Sequence, residues 1–119
     1  MRPHEKLEVW KKALDFVVLI YKATENFPSD EKFGLTSQIR RASVSIPSNI
    51  AEGAARTSNK EFLYFLSNAQ GSASEVSTQL LIAQKLNYLS KSQFERLRNE
   101  LDEIGRMISG LCNHLRSKP

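Results

Sequence analysis

The chain has a single cysteine, Cys112, in 119 residues, so no intramolecular disulfide can staple it and no thiolate cluster can hold zinc. Histidine is almost as scarce. His4 and His114 stand near opposite chain ends, and neither follows a carboxylate at the three-residue spacing that di-iron helical bundles use. Metal catalysis is therefore not expected, and the convergent acids, bases and nucleophiles of an ordinary enzyme are missing as well. The 5 glycines fit neither a phosphate-cradling loop nor a dinucleotide fingerprint, which leaves nucleotide binding without a motif. No secretory signal and no apolar run long enough to span a bilayer is present, so the expected setting is the cytoplasm, away from membranes. Internal repeats, low-complexity tracts and sustained strand-like alternation are absent too. No enzyme, cofactor or metal is expected.

What the chain does have is enough apolar content, 40%, for one core in one domain spanning residues 1–119. Its formal net charge of +4 permits contact with nucleic acid or another anionic surface without requiring it.

The most informative stretch is residues 35–53, LTSQIRRASVSIPSNIAEG. Leu35, Ile39, Ala42, Ile46, Ile50 and Gly53 recur at steps of three and four, which places them on one face of a helix. Beside them runs a polar stripe of Gln38, Arg41, Ser45, Asn49 and Glu52, which predicts an internal hydrogen-bond network wherever packing excludes water. Pro47 sits inside this helix, where it removes one backbone hydrogen bond and crowds the carbonyl of Ser43. A kink between Ser43 and Pro47 is expected.

Residues 5–27 form a first helix with two apolar stripes. Leu7, Trp10, Leu14, Val17 and Tyr21 make one; Val9, Ala13, Phe16, Ile20, Ala23 and Phe27 make the other. One side of a bundle needs a single face about 100° wide, so the second stripe points either to self-association or to deep burial in a monomer core. Pro28 and Ser29-Asp30 end this helix. The second helix is expected to stop near residues 53–56, with Gly53 free to adopt a left-handed terminating conformation.

Ser58 and Glu61 have the spacing of a capping box, opening a third helix with the core row Phe62, Leu66, Ala69, Ala73, Val76, Leu80 and Ala83. Within it, Gly71-Ser72-Ala73-Ser74 removes bulk, so a neighbouring helix can approach there. Ser90 and Gln93 repeat the capping pattern, and the fourth helix carries Phe94, Leu97, Leu101, Ile104, Ile108, Leu111 and Leu115 in a clean amphipathic row. A basic end, Arg116 to Pro119, is expected to fray. Four long helices with short connections predict an all-α, antiparallel up-down-up-down four-helix bundle, its second helix kinked near Pro47.

Cys112 reads as a small buried or half-buried helical residue, and His114 as a surface residue near a helix C-terminus. Lys11, Lys12, Arg40, Arg41, Arg56 and Lys60 are the candidates for holding phosphates, with Lys91, Arg96 and Arg98 as further basic residues. The plainer reading is a solvated helix face, and Glu52 and Arg56 have the spacing of an i,i+4 ion pair. No aromatic residues interleave with these cations as single-strand stacking platforms require.

Several segments together resemble one family. They are Val9-Trp10-Lys11-Lys12-Ala13, Asn26-Phe27-Pro28, Phe33-Gly34-Leu35, Gln38-Ile39-Arg40-Arg41-Ala42, and the run from Ser45 through Pro47, Asn49, Glu52 and Gly53. Glu61-Phe62, Phe65-Leu66, Ala69, Gly71-Ser72 and Glu75 extend the match. The chain resembles the four-helix-bundle proteins of the 23S rRNA intervening-sequence family, which is similar to the accessory proteins of diversity-generating retroelements. That resemblance implies a homopentameric ring, a bacterial source, and association with rRNA or other nucleic acid, or with a protein partner such as a polymerase. It brings no catalytic residue. Gln38, Ser45, Pro47, Asn49, Glu52 and Gly53 are read as a structural motif, in which Asn49 and Glu52 satisfy polar groups that the proline exposes. Two functions follow: an oligomeric nucleic-acid-associated protein, or a homo-oligomeric scaffold for a protein partner without direct nucleic-acid binding.

Overall fold

Each of the two longest helices begins on a serine. In the computed structural model, which describes residues 1–117, Ser90 and Gln93 form a complete capping box: Ser90 Oγ accepts from Gln93 N at 3.1 Å and Gln93 Oε1 accepts from Ser90 N at 2.9 Å. Ser58 caps differently. Its Oγ accepts from Glu61 N at 3.2 Å, but Glu61 returns the bond to the Ser58 hydroxyl, at 3.1 Å, instead of to its backbone. The helices are α1 (Glu8–Thr24), α2 (Leu35–Ala54), α3 (Asn59–Lys85) and α4 (Lys91–Arg116), with short 3-10 turns at Pro3–Lys6 and Ser29–Glu31.

The first helix is shorter than its apolar pattern suggests. Leu7 is extended (φ −83°, ψ 123°) and separates the Pro3–Lys6 turn from α1. At the other end, the Thr24 hydroxyl donates to Ile20 O at 2.8 Å, and Phe27 leaves the helix to pack against Tyr88, ring centroids 5.3 Å apart. The α3–α4 connection turns on Asn87, which has φ 63°. Tyr88 N donates to Ala83 O at 2.9 Å and Asn87 N to Gln84 O at 3.0 Å, the paired bonds of a Schellman ending with asparagine in the left-handed position.

Each helix packs against its neighbours in chain order and α4 closes back on α1, while the backbones of the diagonal pairs stay farther apart; α2 against α3 is the most extensive of these interfaces. The result is the expected up-down-up-down bundle, 48 × 23 × 21 Å. Its core takes Val9, Ala13, Phe16 and Ile20 from α1, with the predicted face of α2 and most of the rows of α3 and α4. Near its end the α4 row shifts by one: Cys112 is buried and Leu111 only half-buried.

Two glycines behave otherwise than expected. Gly53 is not a left-handed terminator, since no glycine among the described residues has positive φ. It is buried inside α2, where an added Cβ would lie 2.8 Å from Phe65 Cβ and 2.9 Å from Phe62 Cδ1. Here α2 and α3 approach too closely for any side chain. Gly71, expected at such an approach, faces open space; its neighbour Ser72 makes the contact, donating to Ser45 Oγ at 3.0 Å. Pro47 is buried and α2 continues unbroken through it. Lys118 and Pro119, part of the expected frayed end, lie outside the described residues.

Candidate interaction surfaces

The polar stripe of α2 divides into two parts. Ser45 and Asn49 are half-buried against α3, whereas Gln38, Arg41 and Glu52 are exposed on the subunit. A five-residue internal network is therefore not formed. What forms is a small cluster: Asn49 Nδ2 donates to Ser45 O at 2.9 Å and to Ser45 Oγ at 3.0 Å, and Ser72 joins it from α3. Asn49 thus serves the carbonyl of Ser45, not that of Ser43, which the proline leaves unbonded along the helix. Glu52 turns outward to Arg56, 3.1 Å away. Four buried polar residues, Thr24, Thr36, Ser43 and Gln79, escaped the sequence pattern. Gln79 on α3 is only 6% exposed, and its Oε1 has no hydrogen-bond partner among the described residues. Glutamine in a row of alanine, valine and leucine gives no periodic signal.

The six candidate phosphate-binding cations do not converge. Lys12 crosses to α4, its Nζ 2.7 Å from Glu100 Oε2 and 3.2 Å from Glu103 Oε2. The hydrogen bond to Glu100 raises its pKa above the ordinary lysine value, against an opposing effect of burial. Arg40 closes the end of α1: Nε donates to Thr24 Oγ1 at 2.8 Å and Nη2 to Tyr21 O at 3.3 Å, while the guanidinium lies 4.5 Å from the Tyr21 ring centroid. Arg56 pairs with Glu52 and stacks 4.9 Å from the Phe65 ring. Lys11 pairs with Glu8 at 3.2 Å. Only Arg41 and Lys60 of the six are exposed without an ion pair among the described residues, and they stand toward opposite ends of the α2–α3 pair.

An apolar surface is better formed. One α1 stripe fills the core; the other divides, with Leu7, Trp10 and Val17 half-buried and Leu14 40% and Tyr21 42% exposed, while Val18, in neither stripe, is 51% exposed beside them and Val44 of α2 adds 39%. Trp10, Val17, Val44, Pro47 and Ala51 line a shallow groove between α1 and α2. His4 packs edge-on against Trp10, ring centroids 4.8 Å apart. On the far side of the bundle, small residues of α3 and α4 leave a second groove, which Gln70 bridges by donating to Gly105 O at 2.9 Å and Ser109 Oγ at 3.0 Å.

Among the described residues no group of three or more His, Cys, Asp and Glu stands ready to hold a metal ion, and no helix is long and apolar enough to cross a membrane. Burial pushes the Cys112 thiol pKa up, against a smaller opposing effect of Arg116, which disfavours the reactive thiolate.

Residues 5–110 match the family model described as 23S rRNA-intervening sequence protein. No curated protein matches the chain. Among solved structures it is similar to a protein of unknown function from the S23 ribosomal protein family of Bacteroides thetaiotaomicron VPI-5482. The two share 29% identity over 87% of this chain and 97% of that one, with a TM-score of 0.79.

Proposed function

The chain belongs to the 23S rRNA-intervening sequence protein family, and we propose that it is a non-enzymatic cytoplasmic protein that assembles with copies of itself and associates with structured RNA through basic residues the assembly displays. The observation that carries this reading is the outward apolar stripe of α1. Leu14, Val18 and Tyr21, with Val44 of α2, are large side chains left in water by a subunit whose core is already filled without them. Contiguous exposed apolar surface of this kind marks an interaction site. A contact between unlike faces of identical subunits closes into a ring when the rotation permits. A ring of five, the assembly that the family resemblance implies, multiplies a formal +4 per chain to about +20, enough to draw in a phosphate backbone.

The test is the light-scattering mass of the purified protein, alone and with a structured rRNA fragment, across a salt series. An oligomer that gains RNA mass at low salt and loses it steeply as salt rises is the expected result. A monomer at micromolar concentration overturns the self-assembly, and an oligomer indifferent to RNA overturns the RNA association.

One observation favours a second reading, a ring that holds a protein partner such as a polymerase. Lys12 and Arg40 are already engaged within the subunit, which leaves fewer cations for phosphate than the sequence suggests. Recovery of one stoichiometric protein after nuclease treatment, with no RNA-dependent mass, selects that reading.

A further inference from the structure

The seam between α1 and α4 carries two cations of α1 and treats them differently. Lys12 meets Glu100 and Glu103. Ten residues on, Lys22 lines a groove of about 200 Å³ on the same seam, and one of the α4 residues that line it is a second cation, Arg96. Arg96, Glu100 and Glu103 fall at i, i+4 and i+7, on one face of α4. Toward the start of α4 this row thus changes from acids to a cation, and the cation lines the groove that Lys22 lines.

The remaining lining is Leu19, Ala23, Gln93 and Leu97, with no carboxylate among them. Lys22 and Arg96 are both exposed, and neither is in an ion pair among the described residues. Glu100, one turn from Arg96, is taken by Lys12. The nearest acids along each helix, Glu25 and Glu95, do not line the groove. Gln93 is held in place by the α4 cap, where its Oε1 accepts from Ser90 N, and its amide nitrogen is left to donate elsewhere. Two positive side chains, one oriented amide donor and an apolar floor thus share one small groove. Like charges brought together repel, and a bound anion converts that repulsion into charge-assisted hydrogen bonds.

We propose that this groove binds a backbone phosphate of RNA, with Lys22, Arg96 and Gln93 on the phosphate oxygens and the adjoining ribose against Leu19, Ala23 and Leu97. The inference rests on the RNA association proposed above and gives it a location that none of the six cations singled out in the sequence occupies.

The test compares the wild-type protein with the Lys22→Gln/Arg96→Gln double variant, and with Arg96→Glu alone, for binding of the structured rRNA fragment over a salt series. The double variant should bind roughly tenfold or more weakly at low salt, with a salt slope shallower by about one to two. Arg96→Glu should weaken RNA binding while leaving thermal unfolding unchanged or later, because it puts a carboxylate into the groove that Lys22 lines. Wild-type protein that binds no RNA removes the RNA reading and this site with it. Wild-type protein that binds, together with a double variant of equal affinity and slope, removes the groove alone. A double variant that loses oligomer mass in the absence of RNA identifies the groove as a subunit contact and overturns the proposal.

Discussion

A methyl group added at Gly53 would stand 2.8 Å from Phe65 Cβ, an atom held by its own backbone, and 3.3 Å from Phe62 O. Relief requires α2 and α3 to move apart. Overpacking of this kind costs about 1–3 kcal/mol, more than the roughly 1 kcal/mol that alanine gains over glycine in a helix. Gly53→Ala should therefore lower the stability by about 1 kcal/mol, and the Tm by several degrees. Gly71, with open space at the same position, obeys the propensity term alone: Gly71→Ala should stabilise by up to about 1 kcal/mol. Thermal melts of the two variants side by side check both signs. The place of Gly53 on the apolar face of α2 was legible, but not that another helix leaves it no room for a Cβ, and Gly71 gave no sign of whether a helix or water lies over it. The serine and asparagine of the motif were legible as polar residues beside a core face. Their partner Ser72 was not, since the axial alignment of α2 against α3 is set by packing across the bundle.

The four helices were legible because their apolar steps and serine caps are local, and local rules placed them. The ends of α1 were not, because they depend on distant groups: Arg40 reaching Thr24 and Tyr21 O, and Phe27 turning toward Tyr88. Two polar ties then join elements far apart in sequence. Lys12 binds α1 to α4, and Tyr88 of the α3–α4 turn donates to Glu31 Oε2 at 2.9 Å, while Glu31 Oε1 accepts from Leu35 N at the start of α2. Both donors have raised pKa values, each chiefly through its hydrogen bond to glutamate. A pKa raised on folding gives stability that is present in full below the unfolded value and is lost as pH climbs through the folded one. Both ties therefore weaken on the alkaline side. Chemical denaturation midpoints should fall above about pH 10, and the Lys12→Met/Tyr88→Phe variant should show a shallower alkaline fall than the wild type. Equal slopes would mean that neither tie contributes.

At the scale of the molecule, the question is what covers the outer stripe of α1. It was legible only in part: the second apolar row pointed either to self-association or to deep burial, and it holds Leu14 and Tyr21 but not Val18, which stands in neither row. The structure puts Leu14, Val18 and Tyr21 outside. Leu14→Glu/Val18→Glu should leave the helical circular dichroism and the folded core intact but reduce the light-scattering mass to that of one chain, 13.5 kDa. Retention of the oligomer mass would place the interface elsewhere. The candidate RNA surface was the least legible part. Single cations read along a helix do not reveal that Lys12 is matched by acids, whereas Lys22 shares its groove with Arg96. The bundle's antiparallel order has one more consequence, for handling the protein. α1 begins and α4 finishes at the same end, where Asn59 Nδ2 donates to Leu115 O at 3.3 Å, while the Lys22 and Arg96 groove lies toward the opposite end, beside the last turn of α1 and the first turn of α4. A tag, dye or surface tether fused before α1 or after α4 therefore emerges away from the groove, so immobilised protein can present it to a ligand in solution from either attachment.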